Sequence, residues 1–188
     1  MTSKNRSSSF RFISSSVLAL VFILGFVIQS GATIMKYLEV EDLAQASTHV
    51  FRGEVLGAQV FWTDDHKSIY TATQIRVDEG FKGALRKGEI VTVRQPGGEI
   101  DGVSLDYDGR PTFQIGESVV LFTKQLKDGY VVTGLKQGKM RVEGDTVTRD
   151  LSGILIVDKK GTGSLQPVRN TRVQLPMTEL RTRLSRVR

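Results

Sequence analysis

Cysteine is missing altogether from the 188 residues, histidine occurs twice and proline four times. Without cysteine no disulfide braces the fold and no thiolate holds a metal, so the core must hold the protein together unaided. A lipoprotein export signal is excluded too, because its lipid sits on a cysteine. Two histidines without cysteine leave almost no nucleophile–base pair to build. No Gly-x-Ser-x-Gly elbow occurs. Gly97-Gly98 is followed by neither Gly-Lys-Ser/Thr nor a helix, so it is turn chemistry and not a phosphate-binding loop. The sequence therefore assigns no catalytic residue, no metal ligand and no cofactor.

Acidic charge is also missing from the first 32 residues, which carry Lys4, Arg6 and Arg11. The formal net charge of +6 divides into +3 over residues 1–32, −2 over 33–168 and +5 over 169–188. The body is close to neutral and the two ends make the chain basic. A nucleic-acid site joins a basic groove to stacking aromatics. This body lacks the first, and its Phe51, Phe61, Phe81 and Phe122 read as core. No nucleic-acid partner is expected.

After the basic start, Val17 to Ile28 is an unbroken apolar run, followed by Gln29-Ser30-Gly31-Ala32. A basic n-region, an apolar stretch of this length and small residues two apart form an export signal. Cleavage is expected between Ala32 and Thr33, and the mature chain is expected in the periplasm or outside the cell. Membrane contact is then limited to the signal before cleavage. The alternative is an uncleaved anchor, since residues 12–35 are uncharged and just long enough to span.

Glycine is plentiful, at nineteen residues. From Thr48 short apolar runs alternate with turn residues, the pattern of many short strands. Strands are expected at 48–62, 68–79, 89–95, 118–125, 129–135 and 138–143, and further at 146–149 and 154–157. Ile69-x-Thr71-x-Thr73-x-Ile75-x-Val77 alternates with Tyr70, Gln74, Arg76 and Asp78 on the other side. Ser118 to Phe122 is apolar on both sides, which predicts a strand covered on both faces or one curling round a closed barrel. A short helix is expected over Tyr37–Ala46 and an amphipathic helix over Pro176–Arg188, with Met177, Leu180, Leu184 and Val187 as its stripe and solvated arginines outside. Residues 100–116 read as a long irregular connection and 159–164 as a linker or wide turn.

The expected architecture is all-β: an OB-like, closed or partly open antiparallel barrel over 33–158 with a helix at each end, the linker and basic helix filling 159–188. The layout of His49-Val-Phe-Arg-Gly-Glu-Val55, Ile69 to Val77, Phe81-Lys-Gly83, Val91 to Gly98, Phe113 to Phe122 and Tyr130 to Gly134 resembles a group of small exported bacterial proteins of uncharacterised function. It is also similar in architecture to netrin-like modules and tissue inhibitors of metalloproteinases. Those inhibitors clamp the protease zinc with an N-terminal cysteine, which has no counterpart at Thr33-Ile34-Met35.

The expected role is a non-enzymatic binding or interaction module, its partner an exported protein such as a protease. The alternative is inhibition of an exported protease, metalloproteases included. A carboxylate-dependent hydrolase has least to support it. Contacts are expected from the turn Pro96-Gly97-Gly98 and from Tyr107 and Arg110 in the long loop. Asp64, Asp65 and His66 read as a solvated hairpin tip, and Glu99, Asp101, Asp106 and Asp108 as solvated loop acids rather than a calcium site.

Overall fold

The computed structural model describes residues 34–160, 164–167 and 171–187. The expected export segment 1–32, its cleavage point and residues 161–163 lie outside the described residues. From the N-terminal side the elements are β1 (Ile34–Lys36), α1 (Val40–Ala46), β2 (His49–Trp62), β3 (Ile69–Lys82), β4 (Ile90–Pro96), β5 (Gly98–Ile100) and β6 (Val103–Leu105). They continue with β7 (Ser118–Leu126), β8 (Gly129–Val132), a 3₁₀ turn (Leu135–Gly138), β9 (Lys139–Glu143), β10 (Thr146–Asp150), β11 (Leu155–Lys160), β12 (Ser164–Pro167), β13 (Arg172–Pro176) and α2 (Met177–Ser185).

The chain is mostly β, as the short apolar bursts predict. The main sheet runs β13-β10-β9-β7-β2-β3-β4-β8, and β8 also pairs with β7. The β4–β8 contact is parallel, at Val93 and Tyr130. A small sheet joins β1 to β11 in parallel and β11 to β12 antiparallel, and β5–β6 form a hairpin.

Alternation on β3 holds as read: Ile69, Thr73, Ile75 and Val77 are buried while Gln74 and Arg76 are exposed. On β7 both faces are covered. Val119 and Leu121 join Phe51, Val55, Ile75, Val77, Val91, Val93 and Val132 in one apolar cluster. Val120 and Phe122 point the other way, into a cluster with Val50, Phe81, Met140, Val142 and both helices. From α1 come Val40, Leu43 and Ala44, and from α2 Met177, Leu180 and Leu184. Each buried Val, Leu or Met side chain here stabilises by roughly 1.5–3 kcal/mol, enough to hold a nine-residue helix that would not persist alone.

Several expectations change. Helix α1 begins three residues later than expected, at Val40, where the Glu39 N–H donates to the Asp42 carboxylate (3.1 Å) in a capping box. Pro176 ends β13 instead of opening α2. The connection 100–116 is not wholly irregular, because β6 pairs back onto β5, which starts at Gly98. Strand β11 runs on to Lys160 and β12 starts at Ser164, inside the expected linker. Strand β13 was not foreseen; its Val173 and Leu175 alternate inward as it pairs with β10. The arginines of α2 are not simply solvated. Arg181 donates to Glu79 of β3 (2.8 Å), and Arg183 to Glu41 (2.5 Å) and Glu39 (3.3 Å) beside α1.

Two predictions follow from the hairpin. At Gly53 a Cβ would lie 2.5 Å from the Arg76 carbonyl and 2.7 Å from Ile75 Cγ2, whereas at Gly57 it would meet nothing within 4 Å. Gly53→Ala is expected to lower stability by about 2 kcal/mol and Gly57→Ala to raise it by up to about 1 kcal/mol, read from urea midpoints. The buried Thr73 hydroxyl finds no hydrogen-bond partner among the described residues. Thr73→Val is expected to raise stability by about 1 kcal/mol in the same measurement, and a fall would mean the hydroxyl is satisfied.

Candidate functional site

Strand β2 pairs with β7 only over His49–Glu54. Beyond the register shifts at Val50/Phe51, Arg52/Gly53 and Val55/Gly57, its outer half pairs with β3 alone. Bulges of this kind increase twist and bend a strand. The outer half of the β2–β3 hairpin, free of β7 but joined through β3 to β4, forms one wall of a groove of about 770 Å3. Its tip is tied by Thr63: the Thr63 N–H donates to the Ser68 carbonyl (2.8 Å), and its hydroxyl to Asp65 (2.7 Å). The Thr63 hydroxyl and the Lys67 N–H hold the Asp65 carboxyl below its usual value. Asp65 is thus committed to the turn. Among the described residues no three His, Asp or Glu side chains gather as a metal ion requires.

The groove is aromatic. Phe61 and Tyr70 are cross-strand partners whose rings stack at 6.3 Å and 26°. Arg94 of β4 lies over the Phe61 ring, 5.2 Å from its centre, and faces Asp128 at 3.8 Å. Trp62 stands at the tip, its indole N–H donating to Asp101 (3.0 Å) and its ring 5.9 Å from that of His66. The opposite wall is the β7–β8 turn, Leu126 to Gly129, followed by Tyr130, whose ring meets His49 edge-on at 5.2 Å. Leu126 is 55% exposed, a large apolar side chain left in water at the mouth. Four lining side chains are charged, Arg94 and Lys127 against Asp64 and Asp128, so the groove is electrically balanced.

Pro96 and Val131 also line a neighbouring pocket of about 270 Å3 with Tyr107, Arg110, Pro111 and Leu135. Of the contacts expected from sequence, Pro96, Tyr107 and Arg110 come together on that wall. Gly97 (φ +94°) lies beneath them, where a Cβ would be 3.2 Å from both Tyr107 and Arg110. Gly98 instead faces Val60 and Thr71. The Asp106 carboxylate accepts from the Tyr107 N–H (3.0 Å) and Arg110 Nε (3.1 Å), and so shapes this corner.

Phe61 is not core. It is half-buried, with its face under a guanidinium. Phe61, Trp62, Tyr70, Arg94 and Tyr130 were missed because apolar neighbours in sequence read as burial. Two signals pointed to them: Phe61-Trp62 directly abuts a polar hairpin tip, and Tyr70 falls on the outward side of the β3 alternation.

A second cluster centres on Glu117, whose side chain is 5% exposed. It accepts from Lys139 Nζ (2.8 Å), Arg141 Nε (3.1 Å) and the Gln114 N–H (3.1 Å). Burial pushes the Glu117 carboxyl up, but Lys139, the Gln114 N–H and Arg141 together hold it below the usual glutamate value. Burial likewise lowers Lys139, which also donates to the Thr112 carbonyl and lies 4.9 Å from the Phe113 ring centre. These bonds fasten the 112–117 segment to β9.

No protein-family model matches the chain, and no curated protein matches it.

The Glu117 cluster has a pH signature. A carboxyl depressed in the folded state stabilises fully above its unfolded pKa, near 4.3, and that stabilisation is lost as pH falls through the folded value. Glu117→Gln is expected to cost about 2 kcal/mol at pH 7, with the difference from the parent shrinking as pH falls below the ordinary glutamate range. Urea midpoints from pH 7 to pH 3 read this; a constant difference across that range would refute it.

Proposed function

We propose that the chain is exported and acts outside the cytoplasm as a non-enzymatic binding module, holding an extended, uncharged ligand in the aromatic groove. The observation that carries this reading is the placement of Phe61, Trp62, Tyr70 and Tyr130 along one open groove between the β2–β3 tip and the β7–β8 turn.

The scaffold is read as a five-stranded barrel of OB type. Supporting that is the pairing sequence β7-β2-β3-β4-β8, with β8 paired again to β7 and parallel to β4. OB barrels take oligonucleotides or oligosaccharides on their second and third strands, between the loops that follow the first and fourth. Here those are β3, β4, the 63–68 tip and the 127–128 turn. Charge favours one of the two ligand classes. A nucleic-acid groove needs an excess of cations along its length, and this one has two of each sign. A saccharide chain suits it better: sugar ring faces pack on aromatic rings, and hydroxyls take Asp64, Lys127 and Asp128.

The test uses the full chain, expressed with its export segment and purified from the cell envelope. Mass spectrometry is expected to give an N-terminus at Thr33; a chain beginning at Met1 would restore the anchor. On an array of envelope and extracellular glycans, binding is expected and should weaken about tenfold on Trp62→Ala or Tyr130→Ala. Binding to single-stranded DNA in preference to every glycan would overturn the ligand class, and variants that bind like the parent would overturn the site.

A further inference from the structure

The pocket of about 270 Å3 beside the aromatic groove shares Pro96 and Val131 with it, so the two cavities adjoin. Pro111, Val132, Leu135 and Tyr107 give the pocket a largely apolar wall. Leu135 reaches its place there at φ +56°, left-handed backbone that a leucine seldom adopts. Such strain persists only where the surroundings enforce it. Here the next residue is pinned, the Lys136 N–H donating to the Gly109 carbonyl (2.8 Å). The two charged members of the lining, Asp108 and Arg110, have interactions of their own, Arg110 with Asp106 at 3.1 Å.

One neutral polar side chain is buried in this wall. Gln95 of β4 is 3% exposed, and its Nε2 donates to the Pro111 carbonyl (3.1 Å). A carbonyl can only accept, so the nitrogen end of the amide is committed and the oxygen is the other end. That oxygen accepts from no described residue, yet it is not sealed off as the Thr73 hydroxyl is. It opens into the pocket that Gln95 lines. An acceptor in such a place is costly to leave unmet. A ligand that fits therefore brings one donor for Gln95 Oε1 and apolar surface for the rest.

We propose that the pocket takes the acetamido group of an N-acetylated sugar unit, an assignment that rests on the saccharide ligand proposed for the groove. The amide N–H donates to Gln95 Oε1, and the methyl group packs on the apolar wall. A bare hydroxyl would supply the donor but no apolar surface. An O-acetyl group would supply the methyl but no donor.

Calorimetry on the full chain compares the β-1,4-linked tetramer of N-acetylglucosamine with the tetramer of glucose, which differ only in their acetamido groups. The acetylated tetramer is expected to bind about tenfold more tightly. Gln95→Leu should abolish that preference, and Tyr107→Ala, which removes an exposed part of the wall, should cut it to about threefold. Both variants should bind the glucose tetramer as the parent does, which also reports that the groove is intact where Gln95 no longer holds Pro111. Equal affinity of the parent for the two tetramers, both weakened about tenfold by Trp62→Ala, would overturn the acetamido pocket and leave the groove standing. A preference that survives in both variants would overturn it as well. Binding of neither tetramer would also overturn it, and the glycan array then decides the groove separately.

Discussion

Strand β2 must lie against β3 on one side and β7 on the other at Gly53, with the Arg76 carbonyl 2.5 Å from where a side chain would begin. That close approach sits at one of three register shifts along the hairpin. Shifts in one strand of a long pair force it to bend and coil, and the site depends on this coiling. The inner half of β2 is committed to β7 and to two-sided burial. The outer half, released from β7, carries Phe61 and Trp62 to where they face the β7–β8 turn. A straight β2 would place those rings on an ordinary sheet face and leave no groove.

Strand β7 is the other half of the arrangement. Its alternating residues feed two apolar clusters, one among β2, β3 and β4, the other under the helices. The sheet can extend through β9, β10 and β13 because α1 and α2 seal the face those strands would expose. The N-terminal segment is tied into the same layer by Arg149 of β10. Its guanidinium, almost fully buried, donates to the Leu38 carbonyl (2.7 Å) and the Tyr37 hydroxyl (2.5 Å) and lies 4.9 Å from the Tyr37 ring centre. Burial lowers its affinity for a proton, and Tyr37 offsets part of that. Glu39 adds to that offset, while Nε is buried with no hydrogen-bond partner among the described residues, so the contact fixes where the chain enters α1 at a cost in desolvation.

Strand content was legible because period-two alternation and glycine punctuation are local signals. Ile69 to Val77 shows this, and the two-faced run Val119 to Phe122 revealed its double burial in the same way. What escaped were elements whose reason for existing is not local. One local signal escaped with them: β5 and β6, three residues each, close through Asp101-Gly102, both at positive φ, a hairpin turn inside the long connection. Strand β13 offers only two apolar positions, Val173 and Leu175, and is defined by its partner β10. For the candidate site, loop length singled out Pro96, Tyr107 and Arg110, which line one small pocket in the fold. The main groove was missed because an aromatic beside apolar residues gives no local sign of which side will be left open.

Charge follows the same lesson. Read as a total, the basic C-terminus suggests a polyanion surface. In the fold, Arg181 answers Glu79, and Arg183 answers Glu41 and Glu39, so two of its arginines serve to clamp α2 across β3 and the start of α1. The Glu41 carboxyl is held below its usual value chiefly by the Arg183 bond. Half-exposed pairs of this sort add little stability individually, but they fix the rotation of a helix whose apolar stripe alone would tolerate several. Part of the positive charge of the arginine-rich tail is therefore spent inside the fold.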